Sequence, residues 1–596
     1  MKNLRCKFIL LMVFALSNPI LWAQGKDTTV NRNVTVEREY KPVIQDAGKI
    51  NSVPQVLEPV VDKTKPNYSE FNSPLVVDFK IQNLEAAELT REKRKPMKQG
   101  FARLGMGNYM NTLADFAFPL VKQNDLRLDF TLNHSASFAP VKMHSNTKAA
   151  LSLDKYLNNS NLYAGINGGH ETFNYYGNRF KSNILPDYKI VNDTLMNNHS
   201  AESFTEKDEV KGRPKKTMSF ADLINKESIR SNTFWRLNAY AGLRSLPLAT
   251  DFRYTAEVNY KLFSPQIGIN EQIINAVARF DTEIDVDRLG LDVDASNISY
   301  RNNKILDDSL GTYSIFTFNP YYSIERDTWK VRIGMKATFK LEGTDFFPSP
   351  DLSAEWQAIP KVMLMYGGFG GNYKQNTMSE IFAENPYLYS TVRVDDTYTP
   401  YRLYLGVKVK PVYNLLVDFY LDYSEISNQY FYANKSYIYS GAGAINANDS
   451  IIYTNKFNVV YQDAGLFKVG LRANYNIRNL VNLELKGAYN GWDVTPVLHA
   501  WNMPKWEASF SSNYRVNRNL NFSANLFFES ERFAKFGDLS KSMAPRIDLN
   551  VGGSYNWLSW MSVFVKANNL LNRKDQIFYG YESQGLNVLA GATFSF

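Results

Sequence analysis

Cysteine is almost absent from this chain of 596 residues, since the only one, Cys6, lies near the N-terminus. The rest of the chain therefore cannot form a disulfide framework or a cysteine-ligated metal site. Histidine is scarce as well, and the five histidines show neither a HExxH nor a His-x-His spacing. Because no pattern places a nucleophile beside a base and a third orienting group, we predict no enzyme, no cofactor and no metal site.

Long hydrophobic runs are missing too. No stretch reaches the roughly 20 apolar residues that a spanning helix requires. A short apolar run over residues 8–16 follows a positively charged start, and the small residue Ala23 precedes Gln24. This pattern is typical of a secretory signal peptide, residues 1–23, with cleavage between Ala23 and Gln24. The exported protein is then either soluble in the periplasm or spans a membrane as strands.

The chain also lacks a block of charges of one sign. Its formal net charge is +8, of which Lys2, Arg5 and Lys7 contribute three and leave with the signal peptide. The remainder is spread along the chain, so we do not expect a nucleic-acid partner for this exported protein. We interpret the surplus positive charge as residues that line the lumen and the rim of a barrel and that contact anionic lipid headgroups.

What the chain has in abundance is alternation of apolar and polar residues with a period of two. It ends on Phe596, and apolar residues recur at Phe594, Ala592, Ala590 and Val588. A terminal strand of this kind in an exported chain is typical of the closing strand of an outer-membrane β-barrel. Similar segments follow one another from residue 99 onward, and many exceed the roughly 5–6 residues of a soluble strand. They match tilted transmembrane strands of about 9–11 residues with extensions beyond the bilayer.

Counting these segments gives the fold class: an all-β chain forming a transmembrane antiparallel β-barrel of about 22 strands over residues 99–596. We place it in the outer membrane of a Gram-negative bacterium, with outer-membrane lipids and the barrel-insertion machinery as partners. If both ends of the barrel lie in the periplasm, odd-numbered connections face outside. The long predicted connections all fall there, at residues 179–229, 375–393, 435–462, 493–505 and 572–585, whereas the even-numbered connections are tight turns.

Tryptophan placement agrees with two aromatic girdles at the lipid interfaces. Four tryptophans fall near predicted periplasmic turns and four near outer strand ends: Trp329, Trp356, Trp557 and Trp560, and Trp235, Trp492, Trp501 and Trp506. The alternative is that they are scattered as core residues. The glycine-rich stretch 366–373 lacks the G-x-G-x-x-G spacing, and we interpret it as a strand whose small residues face a crowded lumen.

Residues 24–98 differ in composition from the rest of the chain. Their repeated prolines prevent a regular sheet or a long helix. We interpret this segment as a periplasmic N-terminal tail that fills part of the lumen or recruits a lipoprotein or a periplasmic partner.

The C-terminal stretch carries a more specific motif. It reads Val563-Phe-Val-Lys-Ala-Asn-Asn-Leu-Leu-Asn-Arg-Lys574, then Tyr579-Gly580-Tyr581 and Gly585, then the closing strand to Phe596. This stretch resembles the end of TonB-dependent receptors, in which an N-L-x-(N/D)-(K/R) turn precedes a G-Y…G loop and a strand ending in Phe. The resemblance implies a large barrel and uptake of a solute. Members of that family carry a globular plug of well over a hundred residues before the barrel. Here fewer than eighty residues lie between the predicted cleavage site and the first strand, so we expect the usual plug to be missing.

Basic residues mark the predicted inward face of three strands. They are Lys330, Arg332, Lys336, Lys340, Arg402, Lys408, Lys410, Lys468 and Arg472, while the acidic Asp418 and Asp422 lie on the strand between the last two of the three. One interpretation is an anion-attracting path through the lumen. The other, which we favour, is a network of ladder charges that packs a tail or plug segment.

Two functions follow from this pattern. The first is a receptor-like or porin-like barrel that takes up or passes a solute across the outer membrane. The alternative is a plugless barrel that serves as a structural scaffold in an outer-membrane assembly or export complex. The family resemblance favours transport, and the missing plug favours the scaffold.

Overall fold

The computed structural model describes residues 99–139, 142–177, 231–246, 252–301, 310–343, 345–389, 392–439, 450–478, 480–494, 499–536 and 539–596, with four short strands between 189 and 219. The predicted signal peptide, its cleavage site at Ala23 and Gln24, and the segment 24–98 lie outside these residues. No helix in the described ranges is long and apolar enough to cross a membrane.

Twenty-two antiparallel strands form one closed barrel, which confirms the predicted fold class and strand number. In chain order they are β1 (Phe101–Gly107), β2 (Thr112–Lys122), β3 (Leu126–Phe138), β4 (Met143–Tyr156), β5 (Ser160–Asn174), β6 (Ser231–Ser245), β7 (Phe252–Pro265), β8 (Asn270–Ile284), β9 (Asp287–Arg301), β10 (Tyr313–Glu325), β11 (Trp329–Lys340), β12 (Asp345–Ile359), β13 (Met363–Lys374), β14 (Thr397–Val412), β15 (Leu415–Tyr439), β16 (Ser450–Ile477), β17 (Val481–Val494), β18 (Trp506–Arg515), β19 (Leu520–Glu529), β20 (Arg546–Asn556), β21 (Met561–Asn568) and β22 (Asn587–Ser595).

The barrel closes because its last strand pairs with its first. Strand β22 pairs with β1 in antiparallel register, with Gly591 opposite Gly105 and Thr593 opposite Arg103. The backbone N–H of Gly100 donates to the carbonyl oxygen of Phe596 at 2.9 Å, which joins the two ends of the barrel. A closed sheet leaves no row of unpaired backbone groups facing lipid, which is the condition for crossing a bilayer with strands.

The connections alternate between tight turns and longer loops. Every even-numbered connection is short, from residues 123–125 after β2 to residues 557–560 after β20. The long loops are all odd-numbered, at residues 175–230, 375–396, 530–545 and 569–586 among others. Bacterial barrels have short periplasmic turns and longer external loops. We therefore call the two ends the turn end and the loop end, and assign the loop end to the outside.

One predicted loop is wrong. The sequence indicated a connection over residues 435–462, but β15 continues to Tyr439 and β16 begins at Ser450. Beyond Ser427 of β15 and Ala464 of β16 the two strands continue to pair with each other, while their pairing with β14 and β17 has ended. Their register shifts between Ile426 and Gln429 and again between Asn434 and Ser436. These bulges interrupt the period of two, so the alternation is lost from the sequence although the pairing continues.

Shorter elements lie in the loops. Helix α1 (Met378–Glu384) follows β13, and a 3-10 turn (Asn108–Met110) follows β1. Short strand pairs are Lys189–Val191 with Thr194–Met196, Ser203–Phe204 with Met218–Ser219, Arg532–Phe536 with Leu539–Met543, and Gln576–Phe578 with Tyr581–Glu582.

Alternation separates a lipid face from a lumen face along each strand. On β11, Ile333 is 52% exposed and Met335 is 50% exposed, whereas Arg332, which is paired with Ser323 and Ser353 of the adjoining strands, is half-buried. A one-residue slip would turn the cations of β11 towards lipid, at a cost of roughly 2–4 kcal/mol each near the midplane. The register of this strand is therefore strongly specified.

The tryptophan prediction holds only in part. Six tryptophans have exposed side chains, as two girdles at the lipid interfaces require, and Trp235 and Trp506 are the two at the loop end. Trp501 is instead 5% exposed, because it lies in the loop between β17 and β18 and packs there with Phe431, Ala464 and Val494. Trp492 packs against the same cluster. A tryptophan near a strand end can face a folded loop rather than lipid, and sequence position does not separate the two.

Tyrosines on the lumen face lie over glycines of the neighbouring strand. Tyr366 on β13 is opposite Gly406 on β14, and a Cβ at Gly406 would collide with its ring. Tyr420 and Gly470 form the same pair on β15 and β16. The glycines thus leave room for the rings to lie flat against the wall. This explains part of the glycine-rich stretch 366–373, because Gly368 likewise accommodates Tyr404.

Candidate functional site

The loop between β13 and β14, residues 375–396, closes over the loop end of the lumen; we call it the mouth loop. It contains α1, whose first turn is capped by Thr377, the side-chain oxygen of which accepts from the N–H of Glu380 at 3.1 Å. Ser, Thr, Asp and Asn are favoured at this position because they satisfy a free N–H of the first turn. The cap fixes where the helix begins and hence which residues it buries.

The apolar face of α1 packs on the inner wall of the barrel. Phe382 is 2% exposed, and its ring lies 5.1 Å from that of Phe234 on β6 and 5.4 Å from that of Phe263 on β7. The wall is apolar here on six neighbouring strands, β5 to β10, through Phe173, Phe234, Phe263, Ile273, Ile298 and Ile315. A lumen filled with water would present polar residues at these positions. The apolar wall therefore matches the apolar face of the mouth loop that packs on it.

Two polar contacts fix the start of α1. The carboxylate of Glu271 on β8 accepts from the N–H groups of Met378 at 2.7 Å and Ser379 at 3.4 Å. A negative charge at a helix N-terminus is stabilising because the first N–H groups have no partner within the helix. Arg236 on β6 donates to the hydroxyl of Ser379 at 3.2 Å and pairs with Glu171 at 2.5 Å. These contacts tie the helix directly to β6 and β8, and Glu171 on β5 holds Arg236 in place.

The second half of the mouth loop is held on the opposite side of the lumen. The N–H of Tyr389 donates to the carbonyl of Phe457 on β16 at 2.7 Å, and the N–H of Phe457 donates back to Tyr387 at 3.0 Å. The ring of Tyr387 stacks on Tyr581 of the last loop at 3.7 Å between centroids. Tyr581 in turn donates to the carbonyl of Asn455 at 2.6 Å. The mouth loop thus bridges β6–β8, β16 and the loop after β21.

Two acidic residues of the mouth loop lie among tyrosines, Asp396 buried and Glu384 partly buried. Burial raises the pKa of Glu384, although hydrogen bonds donated by Tyr430 at 2.6 Å and Tyr432 at 2.8 Å act to lower it. Burial likewise raises the pKa of Asp396, which accepts from Tyr373 at 2.8 Å and from Tyr313 at 3.1 Å. Both carboxyl groups therefore hold a proton more readily while the mouth loop is seated.

The predicted lumen charges lie below the mouth loop, on the same face as the tyrosine–glycine pairs. On β11, Arg332 pairs with Asp351 at 3.0 Å and with Asp292 at 3.3 Å. Lys340 lies 3.5 Å from Asp396, and Lys330 lies 3.7 Å from Glu325. Lys336 donates to the backbone carbonyl of Gly371 at 3.1 Å. Three of the four basic side chains on this strand therefore face a carboxylate of a neighbouring element.

The basic residues of β14 and β16 are arranged in the same way. Arg402 pairs with the buried Asp422 at 2.6 Å. Lys408 lies 5.0 Å from the ring of Tyr366, which donates to Asp418 at 2.7 Å. Arg472 lies 5.0 Å from the ring of Tyr420. Lys410 and Lys468 complete the set on these strands. This pairing with acids and rings favours the ladder network over an open anion path, whereas its packing against a tail segment stays a prediction.

The sequence did not reveal the role of the mouth loop. It indicated only a long external connection, although Ile381-Phe382 and Tyr387-Leu388-Tyr389 are unusually apolar for a segment expected in water. Glu271 and Phe382 are brought together by the closed barrel and not by their spacing. The apolar inward residues at the loop ends of β5–β10 were the second signal, since they break the polar pattern of the lumen face.

Searches for related proteins give a match only at the level of structure. No protein-family model matches the sequence, and no curated protein matches it. Among solved structures, a mutant of the ferric enterobactin receptor of Pseudomonas aeruginosa has a TM-score of 0.57 at 11% identity, covering 84% of this chain and 80% of that one. The siderophore receptor PirA of Acinetobacter baumannii has a TM-score of 0.58 at 9% identity, covering 85% and 81%. The copper transporter OprC has a TM-score of 0.57 at 11% identity, covering 84% and 82%.

The chain has the barrel fold of TonB-dependent receptors. This confirms the resemblance that the C-terminal motif indicated, and it places the protein in the outer membrane of a Gram-negative bacterium. The motif forms the last external loop, where Asn569 has a φ of 50° and donates through its side chain to the carbonyls of Arg573 and Gln584. At these identities the likeness shows the fold. It leaves the solute and the energy source of this receptor-like barrel to be argued from the site.

Proposed function

We propose that the protein takes up a solute across the outer membrane through its lumen, and that the mouth loop is the gate. The supporting observation is the seating of residues 375–396 on a matching apolar wall, above a polar lumen lined by paired charges. A permanently open pore needs no such loop. The neighbours in fold are named as receptors or transporters, which supports transport without chemistry on the solute.

Release of the mouth loop is the step that this proposal requires. The loop is attached by contacts on β6–β8 and by the β-bridge between Leu388 and Phe457. The stacking of Tyr387 on Tyr581 and the tyrosine hydrogen bonds to its two acidic residues add to these. A ligand that displaces these contacts from outside would free the path into the lumen. Binding energy at the outer face would then offset the loss of buried apolar surface, about 1.5–3 kcal/mol for each large side chain.

A reversible lock tests the gate. Leu388 and Phe457 are paired in a β-bridge, so their Cα atoms are close enough for a disulfide. The double variant Leu388→Cys and Phe457→Cys can therefore form one. The only natural cysteine, Cys6, is in the predicted signal peptide. We expect the oxidised double variant to conduct less than the same protein after reduction, measured as ion conductance in planar lipid bilayers. Each single cysteine variant is the control. Equal conductance before and after reduction, with the disulfide demonstrated, would contradict the gate.

Energised uptake has a separate test. If the barrel works as TonB-dependent receptors do, uptake of its solute is lost in a strain that lacks TonB, whereas passive passage survives. Growth on defined nutrient sources in strains with and without the protein identifies the solute class first.

A structural scaffold remains the second candidate. The mouth loop packs into one large apolar cluster, rich in aromatic residues, that also includes residues of β16 and of the last loop, and such packing holds the loop in place. A scaffold requires a rigid outer face rather than a moving one. It predicts stable partners, such as a lipoprotein, that copurify from detergent-solubilised membranes. It also predicts that the oxidised lock has no effect on the fitness of the cells.

A further inference from the structure

Strands β12 and β13 are not paired along their whole length. The ladder between them ends with Asp351 opposite Gly370. Towards the loop end, residues 345–350 of β12 and 371–374 of β13 run side by side without strand pairs, although the structure describes all of them. We call this stretch the seam. The ladders on either side of it are complete, because β11 stays paired with β12, and β13 with β14, to their last residues at this end.

Two prolines explain why the pairing stops. The ladder between β11 and β12 runs through both of them, with Ala337 opposite Pro348 and Met335 opposite Pro350. Because proline has no N–H, a continuous ladder requires both prolines to turn their backbone groups away from β11 and towards β13. The positions of β12 that would donate across the seam therefore have no donor. Proline within a sheet belongs at edge strands, so this part of β12 has the chemistry of an edge.

Side chains hold the seam closed in place of the ladder. Nζ of Lys336 on β11 donates to the carbonyl of Gly371 at 3.1 Å, and the hydroxyl of Tyr398 on β14 donates to the carbonyl of Pro348. The strands are in close contact, because a Cβ at Gly371 would lie 2.9 Å from the Cβ of Ser349. The Oγ of Ser349 is buried without a hydrogen-bond partner among the described residues. The seam is therefore closed, but by bonds that rotation of two side chains releases.

The seam lies in the outer half of the membrane-spanning wall. Trp356 belongs to the girdle at the turn end, and Pro350 lies roughly 15 Å above it for a strand tilted as in barrels, whose apolar band is about 25 Å tall. The outer surface stays apolar at the height of the seam. Phe346 is 48% exposed there, and its ring lies 4.9 Å from that of Phe339 on β11. The outer side of the seam therefore faces the outer leaflet.

The lumen side of the seam is aromatic. The ring of Phe347 on β12 lies 4.6 Å from that of Tyr373 on β13 and 5.0 Å from that of Tyr398. The hydroxyl of Tyr373 donates to Asp396 of the mouth loop at 2.8 Å, which places this cluster directly beneath the gate. Below the cluster, the lumen carries the paired charges around Arg332. An apolar path through the wall thus adjoins a polar interior.

We propose that the seam is a lateral opening through which an apolar tail passes between the outer leaflet and the lumen. The solute is then an amphipathic molecule with a polar head and an acyl-like chain, an assignment that rests on the proposed uptake function. With its head among the lumen charges and its tail in the seam, such a molecule keeps its apolar surface out of water during passage. A wholly polar solute would gain nothing from an opening into lipid.

Photocapture of lipid tests the opening. The photoreactive residue p-benzoylphenylalanine replaces Phe347, and the purified protein is reconstituted into vesicles of phosphatidylcholine, whose acyl chains are the probe. Phe369, on the lipid face of β13, is the positive control position. Phe527, on the lumen face of β19 between complete ladders, is the negative one. Captured lipid is measured as added mass of the intact protein, and folding is checked by the heat-dependent gel shift of intact barrels.

We expect weak capture at position 347 in the otherwise native chain. Lys336→Met combined with Tyr398→Phe removes both hydrogen bonds across the seam and should raise this capture about tenfold. The matched control, Lys408→Met with Tyr420→Phe, makes the same chemical changes on the lumen face of strands that are paired there, and it should leave capture unchanged. Absence of capture at position 347 in every chain, with capture at position 369, would overturn the proposal. An equal rise in the matched control would overturn it too.

The lock on the mouth loop separates the seam from the gate. With Leu388→Cys and Phe457→Cys oxidised, capture at position 347 should persist, because the tail arrives from the side. Loss of capture on oxidation would mean that lipid enters through the mouth, and the seam proposal would fail. If the lock leaves ion conductance unchanged while capture persists, the gate is wrong and the lateral opening stands. If the lock lowers conductance and position 347 captures nothing, the gate stands and the lateral opening is wrong.

Discussion

Truncating Phe382 to alanine should loosen the gate without unfolding the barrel. The side chain is almost completely buried between two aromatic rings of the wall. Phe-to-Ala changes at such sites cost about 3–5 kcal/mol, from lost transfer energy and the cavity left behind. The barrel is unaffected by this cost because the strands keep their pairing. The substitution therefore destabilises the seated state of the mouth loop relative to the released state.

The shift in that equilibrium should be large enough to measure. Each 1.4 kcal/mol is about a factor of ten, so 3–5 kcal/mol raises the released population by roughly two to three and a half orders of magnitude. We expect higher ion conductance in planar bilayers and greater sensitivity of cells to vancomycin. The matched control is Phe369→Ala, which removes the same side chain from the lipid face of β13, where it is 40% exposed. This control should behave as the native protein does.

The reasoning fails if Phe382→Ala conducts like the native barrel while its heat-dependent gel shift shows that it is folded. That result would mean that the mouth loop is seated by other contacts, such as those of Glu271, or that its release does not open the lumen. A conductance increase in Phe369→Ala of the same size would also refute the argument, because that side chain lies on the lipid face of β13.

Two further outcomes follow from the structure. Gly406→Ala should lower the temperature of the heat-dependent gel shift, because a methyl group would displace the ring of Tyr366 at a cost of about 1–3 kcal/mol; Gly168→Ala, with no neighbour within 4 Å, should not. Acidification should close the gate. Since burial raises the pKa of Glu384 and of Asp396, the seated loop binds more protons than the released one. Closure is then strongest below the ordinary carboxyl pKa of about 4 and weakens as the pH rises through the raised values. Conductance that falls as the pH rises would contradict this.

The candidate site could be predicted only in fragments. The positions of the nine basic residues on β11, β14 and β16 followed from alternation, because each lies on a strand whose lipid face is clearly apolar. Their partners did not follow. Asp292 and Asp351 reach Arg332 from strands on both sides, and the pairing depends on register and strand neighbours that a single segment does not contain. The tyrosine–glycine pairs are of the same kind, since each needs the relative register of two strands.

The sequence alone determined that this chain is an outer-membrane barrel and set its strand number, because a lipid outside and a polar lumen inside impose a period of two that is local to each strand. The closing of the mouth was decided only by the tertiary structure. Phe382, Glu271 and Phe457 are far apart in the chain and meet because the sheet closes on itself, which turns the loop ends of distant strands towards one another. The apolar residues that receive the mouth loop break the polar pattern of the lumen face within their own strands, but that pattern does not show which loop covers them.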